Sequence, residues 1–468
     1  MKSYTHYVLG ALWLYSLLAM LFVSPVLAKT DLAANHAGKV VFTKGAVSLL
    51  NEGQVAQILT RGSPLSVGDT VHTGQTAKAI LKLIDGTQIS LKENTHFTIK
   101  VFSTQKNKEK AELQLLKGGV RVITGFINKQ RHNNFKLTTS VASIGIRGTD
   151  FTAVICKHDC GKKANATKQQ SDKPIEIKAD TPVKARLIVK HGSVQAKNRH
   201  GKLRPLLKES PLYIGDTLIT GKKSVAVIVF KDNTRTTVQS SSEFAIEDFQ
   251  FHPKKAAKNQ ASFKLIKGSM RFLSGKIGKL NREKYAISTP TSSIGIRGTG
   301  FDLAYSNPTY LMVWEGQVMF IYPNGEVLVK TGQTYRLANK NAVPKVLKAL
   351  PLPLRSGPRP DSAEIDKLAD IPYLFGSRDN NGDAGLYIYV RSGEIEAANG
   401  EVHLNLGVAE SGFIDEDTAF RISRVPSLLI IPFIPPDAGQ AQLDAFRILP
   451  EIFNVVDYRD DGTLCEIK

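Results

Sequence analysis

Cysteine is scarce in this chain: three residues in 468, at Cys156, Cys160 and Cys465. So few thiols exclude a disulfide-framework fold, and a chain of this length can bury its core without such staples. Helical periodicity is almost absent before residue 361, which excludes a helix bundle. Beyond the first 28 residues no apolar run is long enough to cross a bilayer. The segment Leu428–Pro436 is short and holds three prolines. There is no nucleophile elbow, no zinc-protease helix and no phosphate loop. The expectation is therefore a protein that is not an enzyme, with no catalytic residue, no cofactor and no metal site. Aromatic residues make up 8% of the chain and do not interleave with its lysines, so nucleic acid is not expected as a partner.

Residues 1–28 read as a signal peptide. Lys2 precedes an apolar stretch from Tyr7 to Val23, Pro25 stops it, and Val26 and Ala28 are small residues spaced for cleavage after Ala28. The competing reading is an uncleaved anchor, since the stretch is near the lower limit for a membrane span. Cleavage predicts a periplasmic, exported protein that meets the membrane only transiently. In an oxidising compartment Cys156 and Cys160 are candidates for a short-loop disulfide, ahead of free thiols and of a metal loop that lacks a fourth ligand.

Charge is unevenly placed. The chain carries a net +20, yet residues 361–468 hold 8 basic against 20 acidic residues. The body before them is strongly basic. Such a split points to an anionic partner for the body, or to an acidic region that folds back and neutralises part of it.

A repeat organises the chain. Ile144-Gly145-Ile146-Arg147-Gly148-Thr149 recurs unchanged as Ile294-Gly295-Ile296-Arg297-Gly298-Thr299. Upstream, Gly68-Asp69-Thr70 through Gly74 matches Gly215-Asp216-Thr217 through Gly221, and Asp85-Gly86-Thr87 matches Asp232-Asn233-Thr234. A shorter hairpin unit opens each copy, at Val40–Ser63 and Arg186–Ser210, and recurs at Leu311–Tyr335 and Leu386–Ile414. Alternating apolar residues around Asn-Gly tips predict β-hairpins. The fold class expected is all-β: tandem solenoid-like or sandwich-like domains built from repeated hairpins, with a small, mostly β C-terminal region. The boundaries read from this are a first domain over 38–156, a polar linker over 157–184, a second domain over 185–337, a proline-rich linker over 338–370, and a C-terminal region over 371–468 with a partial hairpin repeat, an acidic tail and a helix near Ala438–Phe446.

The ordered motifs resemble those of the FecR domain: the Gly-Asp-Thr turn, the Asp-Gly-Thr hairpin, the Leu-x-Lys-Gly-Gly step, the Arg-x-x-Thr-Gly step and the Ile-Gly-Ile-Arg-Gly-Thr segment. This is the periplasmic part of the iron-dicitrate sensor regulators. The resemblance implies fold and compartment. Members that act on a sigma factor carry a cytoplasmic domain ahead of a membrane helix. Here only Met1–His6 precede the apolar segment, so the expectation is a stand-alone exported member.

Four arginines are candidate ligand or anion-binding residues: Arg147 and Arg297 between glycines, and Arg121 and Arg271 in the preceding step. The opposing reading, to which more weight is given for Arg147 and Arg297, is that each arginine fork satisfies carbonyls or a carboxylate of its own domain, with Asp69 and Asp216 as natural partners. Gly68, Asp69, Gly74, Gly145, Gly148, Gly215, Asp216, Gly221, Gly295 and Gly298 are read as the structural motif. Asp379, Asn381 and Asp383 alternate like calcium ligands, but Ala384 and Val390 stand where such a loop needs Gly and Glu. Asp415 and Asp417 read as solvated. The leading functional expectation is an envelope binding or scaffold protein that engages an anionic glycan or a protein partner. The alternative is a periplasmic signalling sensor or regulator of a membrane receptor, transporter or cyclase.

Overall fold

The computed structural model describes residues 36–431, apart from 51–56, 128–133, 158–175, 178–181, 297, 355–356 and 381. The expected signal peptide, the helix near 438–446, Cys160, Cys465 and Arg297 lie outside the described residues.

Strand formation follows the period-2 pattern of the sequence. In Gln260–Leu273, Ala261, Phe263 and Leu265 point inward and alternate with half-exposed neighbours; past a bend, Met270 and Phe272 are the buried ones. The bend is at Gly268, whose φ is +90° and whose place would bring a Cβ to 2.1 Å from the Ser242 hydroxyl. This strand therefore runs through both layers of its domain. Its first half pairs with Glu243–Gln250 and, in parallel, with Tyr285–Ser288; its second half pairs with Arg235–Val238 and Gly300–Tyr305.

The second domain is complete within residues 183–347. One layer runs, by pairing, from Pro211–Tyr213 through Val183–His191, Val225–Phe230, Arg235–Val238 and the second half of Gln260–Leu273 to Gly300–Tyr305, Thr309–Glu315, Thr334–Leu337 and Lys345–Leu347. The facing layer runs from Leu203–Pro205 to Gly325–Lys330. Between them sits an aromatic core in which the Phe263 ring lies 5.0 Å from Phe230 and 5.6 Å from Phe244. The architecture is all-β and does not close into a barrel.

The first domain repeats this plan from residue 36 but reaches Cys156 one hairpin short. The missing hairpin comes from the other side of the second domain. Ser143–Cys156 pairs antiparallel along its length with Gly385–Asn399, from Ser143 opposite Ala398 to Cys156 opposite Gly385. In the second domain the same partner is local: Thr309–Glu315 and Gln317–Tyr322. The correspondence holds at a constant offset of 77, with Thr309 opposite Leu337 matching Leu386 opposite Ile414. The second domain is thus an insertion into the first.

Two expected boundaries change. The hairpin of the 371–468 region belongs to the first domain's sheet and core, where Leu386, Ile388, Val390 and Leu404 are buried. The proline-rich stretch 338–370 is not a free spacer: Lys345–Leu347 extends the second domain's sheet, and the carbonyls of Pro358 and Pro360 accept from Thr237 and Arg235. Proline lacks the N–H but keeps its acceptor, so it can lie against a sheet face.

Candidate functional site

Each candidate arginine that is described already has an internal partner. Arg121 grips Asp150 with two bonds, Nε to Oδ1 at 2.9 Å and Nη2 to Oδ2 at 2.7 Å. Arg271 lies 3.5 Å from Asp302 and donates to the carbonyl of Gly357 at 3.1 Å. Arg147 donates from Nη1 to Glu394 Oε1 at 3.0 Å, with both side chains largely buried. None of the three is an open anion site. Asp69 and Asp216 are not the partners of the glycine-flanked arginines: Asp69 accepts from the Ser66 amide at 2.8 Å, and Asp216 accepts from the Tyr213 amide at 3.0 Å and pairs with Arg204 at 2.5 Å. Both aspartates close the turns at Gly68 and Gly215.

The motif glycines fall into three groups. Gly68, Gly215, Gly148 and Gly298 have positive φ at turns or bends, Gly74 and Gly221 donate their amides to Ala46 and Ser193, and Gly145 and Gly295 lie in strands with ordinary room for a Cβ. The close approach is at Gly393. Its φ is +79°, and a Cβ there would fall 2.4 Å from the Gly148 carbonyl. Cys156 is disulfide-bonded, and its expected partner Cys160 is outside the described residues. Among the described residues no cluster of three metal-ligating side chains occurs. In the calcium-like loop, Asn380 Oδ1 instead accepts from the Gly382 amide and the Tyr387 hydroxyl.

The densest polar cluster lies where the two domains meet, and sequence reasoning did not single it out. Arg186, from the first strand of the second domain, is completely buried. Its Nε donates to the Leu374 carbonyl at 2.7 Å, its Nη1 to the Glu209 carbonyl at 2.9 Å, and its Nη2 to both carboxylate oxygens of Glu410 at 2.7 and 2.6 Å. Glu410 also accepts from the Gly407 amide at 2.7 Å and faces Arg421 at 3.3 Å. Arg421 donates to the carbonyls of Tyr373 and Asn405 at 2.8 and 2.6 Å. A second contact joins Ser210 to Glu394 at 3.2 Å, so the carboxylate held by Arg147 touches both domains. The Val408 amide donates to the Tyr213 hydroxyl at 3.0 Å.

Burial opposes ionisation of Glu410, but the guanidiniums of Arg186 and Arg421 and their hydrogen bonds outweigh it and hold its carboxyl below the usual range. Burial, and then the charge of Arg186, push Arg421 down to about 10 against the pull of Glu410 and Glu209. Burial, reinforced by Glu209, pushes the Tyr373 hydroxyl up to about 12. The arrangement is a fixed, charge-matched joint.

The repeat equivalents show why this joint forms once. At the offsets of 147 and 77, Arg186 corresponds to Lys39 and Glu410 to Gln333. Gln333 keeps the local bond, accepting from the Lys330 amide at 2.8 Å as Glu410 does from Gly407. Only the two ends that face each other carry the ion pair. The acidic 361–431 stretch supplies much of the matching charge, with Glu394, Glu410 and Asp366 on Arg147, Arg186 and Arg235.

Comparison with known families places this frame. The family described as FecR protein matches residues 69–167 and 216–319, one region in each copy. Each of the two copies of the repeat carries a FecR region, the second copy lying within the first. Each matched region takes in its copy's hairpin turn, Asp85-Gly86-Thr87 or Asp232-Asn233-Thr234, and its Ile-Gly-Ile-Arg-Gly-Thr segment. Two crystal structures of a candidate anti-sigma factor from Parabacteroides distasonis ATCC 8503, at 1.65 and 2.50 Å, are similar at 12% identity, with TM-scores of 0.23 and 0.24. Each comparison covers 28% of this chain and 58% of the other. No curated protein matches the chain.

Proposed function

We propose that this FecR-domain protein is a signalling regulator of the cell envelope that works by contact with a membrane protein. The presence of two FecR domains carries the reading. The internal pairing of Arg121, Arg147 and Arg271 weighs against an anionic glycan as ligand, because each fork is largely buried and already committed to a carboxylate of its own molecule. A contact surface remains on the second domain. Gly325–Lys330 ends one layer and, among the described residues, pairs only with Gln317–Tyr322. Glu326 on it is exposed, and Val327 and Leu328 are half-buried. An unpaired edge of this kind can accept a strand from a partner.

The test is affinity capture from envelope extract at low and high salt. The expected result is one receptor, transporter or cyclase of the membrane that survives high salt and is lost with Val327→Pro or Leu328→Pro. Recovery of glycan that salt releases, with no such protein, would return the reading to polyanion binding.

A further inference from the structure

The outer face of one layer of the second domain is covered by the chain that follows it. After Leu354 the backbone is held by Arg271 at the Gly357 carbonyl (3.1 Å), by Thr237 at Pro358 (2.9 Å) and by Arg235 at Pro360 (3.3 Å). Arg235 also pairs with Asp366. Ile365, Leu374 and Phe375 then pack on Ile188, Val227 and Val229.

The first domain has the same face. Val41, Phe42 and Ile80 stand at the positions of Ile188, Val189 and Val227, and Phe42 pairs with Ile80 as Val189 pairs with Val227. A groove of about 140 Å³ opens there, lined by Phe42, Ile80, Leu91, Ile430 and Ile431. Ile431 corresponds to Leu354 at the offset of 77, and the likeness extends to its carbonyl: Arg121 donates to Ile431 at 3.4 Å as Arg271 donates to Leu354 at 3.4 Å. The described chain stops at Ile431, on the rim of this groove.

The sequence beyond it repeats the cover of the second domain. Ile365-Asp366, Leu368, Ile371-Pro372 and Leu374-Phe375 recur as Leu443-Asp444, Phe446, Leu449-Pro450 and Ile452-Phe453, at a constant offset of 78. Pro360-Asp361 recurs as Pro436-Asp437. From Leu354 to Phe375 is 21 residues, and from Ile431 to Phe453 is 22. We propose that residues 432–453 dock on the outer face of the first domain, with Leu443, Leu449, Ile452 and Phe453 against Val41, Phe42 and Ile80. Charge fits the same placement: Lys78 and Lys82 are exposed beside the groove, and the docking segment carries Asp444 and Glu451.

Replacing Phe42 by the photo-cross-linking residue p-benzoylphenylalanine in the full chain tests this. The expected product is a link within one chain to a peptide inside 443–453, reduced at least tenfold by Ile452→Asp together with Phe453→Asp. Carbodiimide coupling of the unsubstituted protein is an independent measurement, and should join Asp444 or Glu451 to Lys78 or Lys82. Links from position 42 to a second copy, to another protein, or to nothing, with no such lysine–carboxylate pair, would overturn the proposal.

Discussion

Arg186 and Glu410, 224 positions apart in the chain, meet through two hydrogen bonds of 2.7 and 2.6 Å in a site closed to solvent. This pair fastens the second domain to the hairpin that completes the first. Removing one partner strands a buried charge, which typically costs about 3–5 kcal/mol. Arg186→Met and Glu410→Gln are each expected to lower the free energy of unfolding by an amount of that order, read as a lower denaturant midpoint. Arg186→Met combined with Glu410→Leu should recover much of the loss. If the single variants unfold at the wild-type denaturant concentration, the joint is not holding the domains together.

Two carboxyls make opposite contributions across the acid range. Glu410 is held below its ordinary value, so its contribution is complete above the usual carboxylate range and is lost as pH falls through its own lower pKa. Asp302 is pushed up to about 6 by burial, against the pull of Arg271. Its contribution runs the other way: it is present below the ordinary value and lost as pH rises through about 6. The Trp314 indole donates to Asp302 at 3.2 Å and reports the change. Its fluorescence should titrate with a midpoint near 6 and become flat over pH 4–7 in Asp302→Asn. A flat response in the wild type would remove the assignment.

Gly393, packed against the Gly148 carbonyl, leaves no room for a methyl group. Gly393→Ala would place Cβ 2.4 Å from the Gly148 carbonyl at a φ of +79°. A strained backbone of this kind typically costs about 1–3 kcal/mol. Thermal unfolding of Gly393→Ala should show that loss, whereas Gly145→Ala, whose Cβ would meet nothing nearer than 3.8 Å, should stay close to wild type.

The inserted arrangement predicts which pieces fold. Residues 36–156 alone lack the strand that pairs with Ser143–Cys156 and should show no cooperative unfolding transition. Cys156 and Gly385 are cross-strand partners, so an Asn-Gly turn can join them in place of the whole insertion. The chain 36–156, Asn-Gly, 385–431 should give a β-type circular dichroism spectrum and a cooperative melt. Equal behaviour of the two pieces would mean that the late hairpin is not part of this domain.

The duplication, the all-β class and the hairpin units were legible because they rest on local pattern: six identical residues at Ile144 and Ile294, and period-2 alternation around Asn-Gly tips. The fourth hairpin was legible as a hairpin too. Its destination was not, because strand pairing between residues such as Phe151 and Val390 leaves no mark in either segment. The partner of Arg147 was misplaced for the same reason: Asp69 lies in the same copy, but register brings Glu394 to it. The prolines between 344 and 360 suggested a stiff spacer, since they remove donors; the acceptors that bind them to Arg235 and Thr237 carry no sequence signature. Arg186 and Glu410 could have been suspected from the repeat itself, where Lys39 and Gln333 occupy the corresponding places.

The insertion also reverses the order of assembly. A chain made from its N-terminus presents the first domain first, but that domain cannot close until residue 385 and beyond have arrived. The second domain, complete by residue 347, has all its pairing strands earlier. The older segment must therefore wait with the edge of Ser143–Cys156 unpaired while the younger one folds beside it. Any factor that shields exposed strands during synthesis has its natural target there, and the hairpin that begins at Gly385 acts as the closing stitch for the first domain.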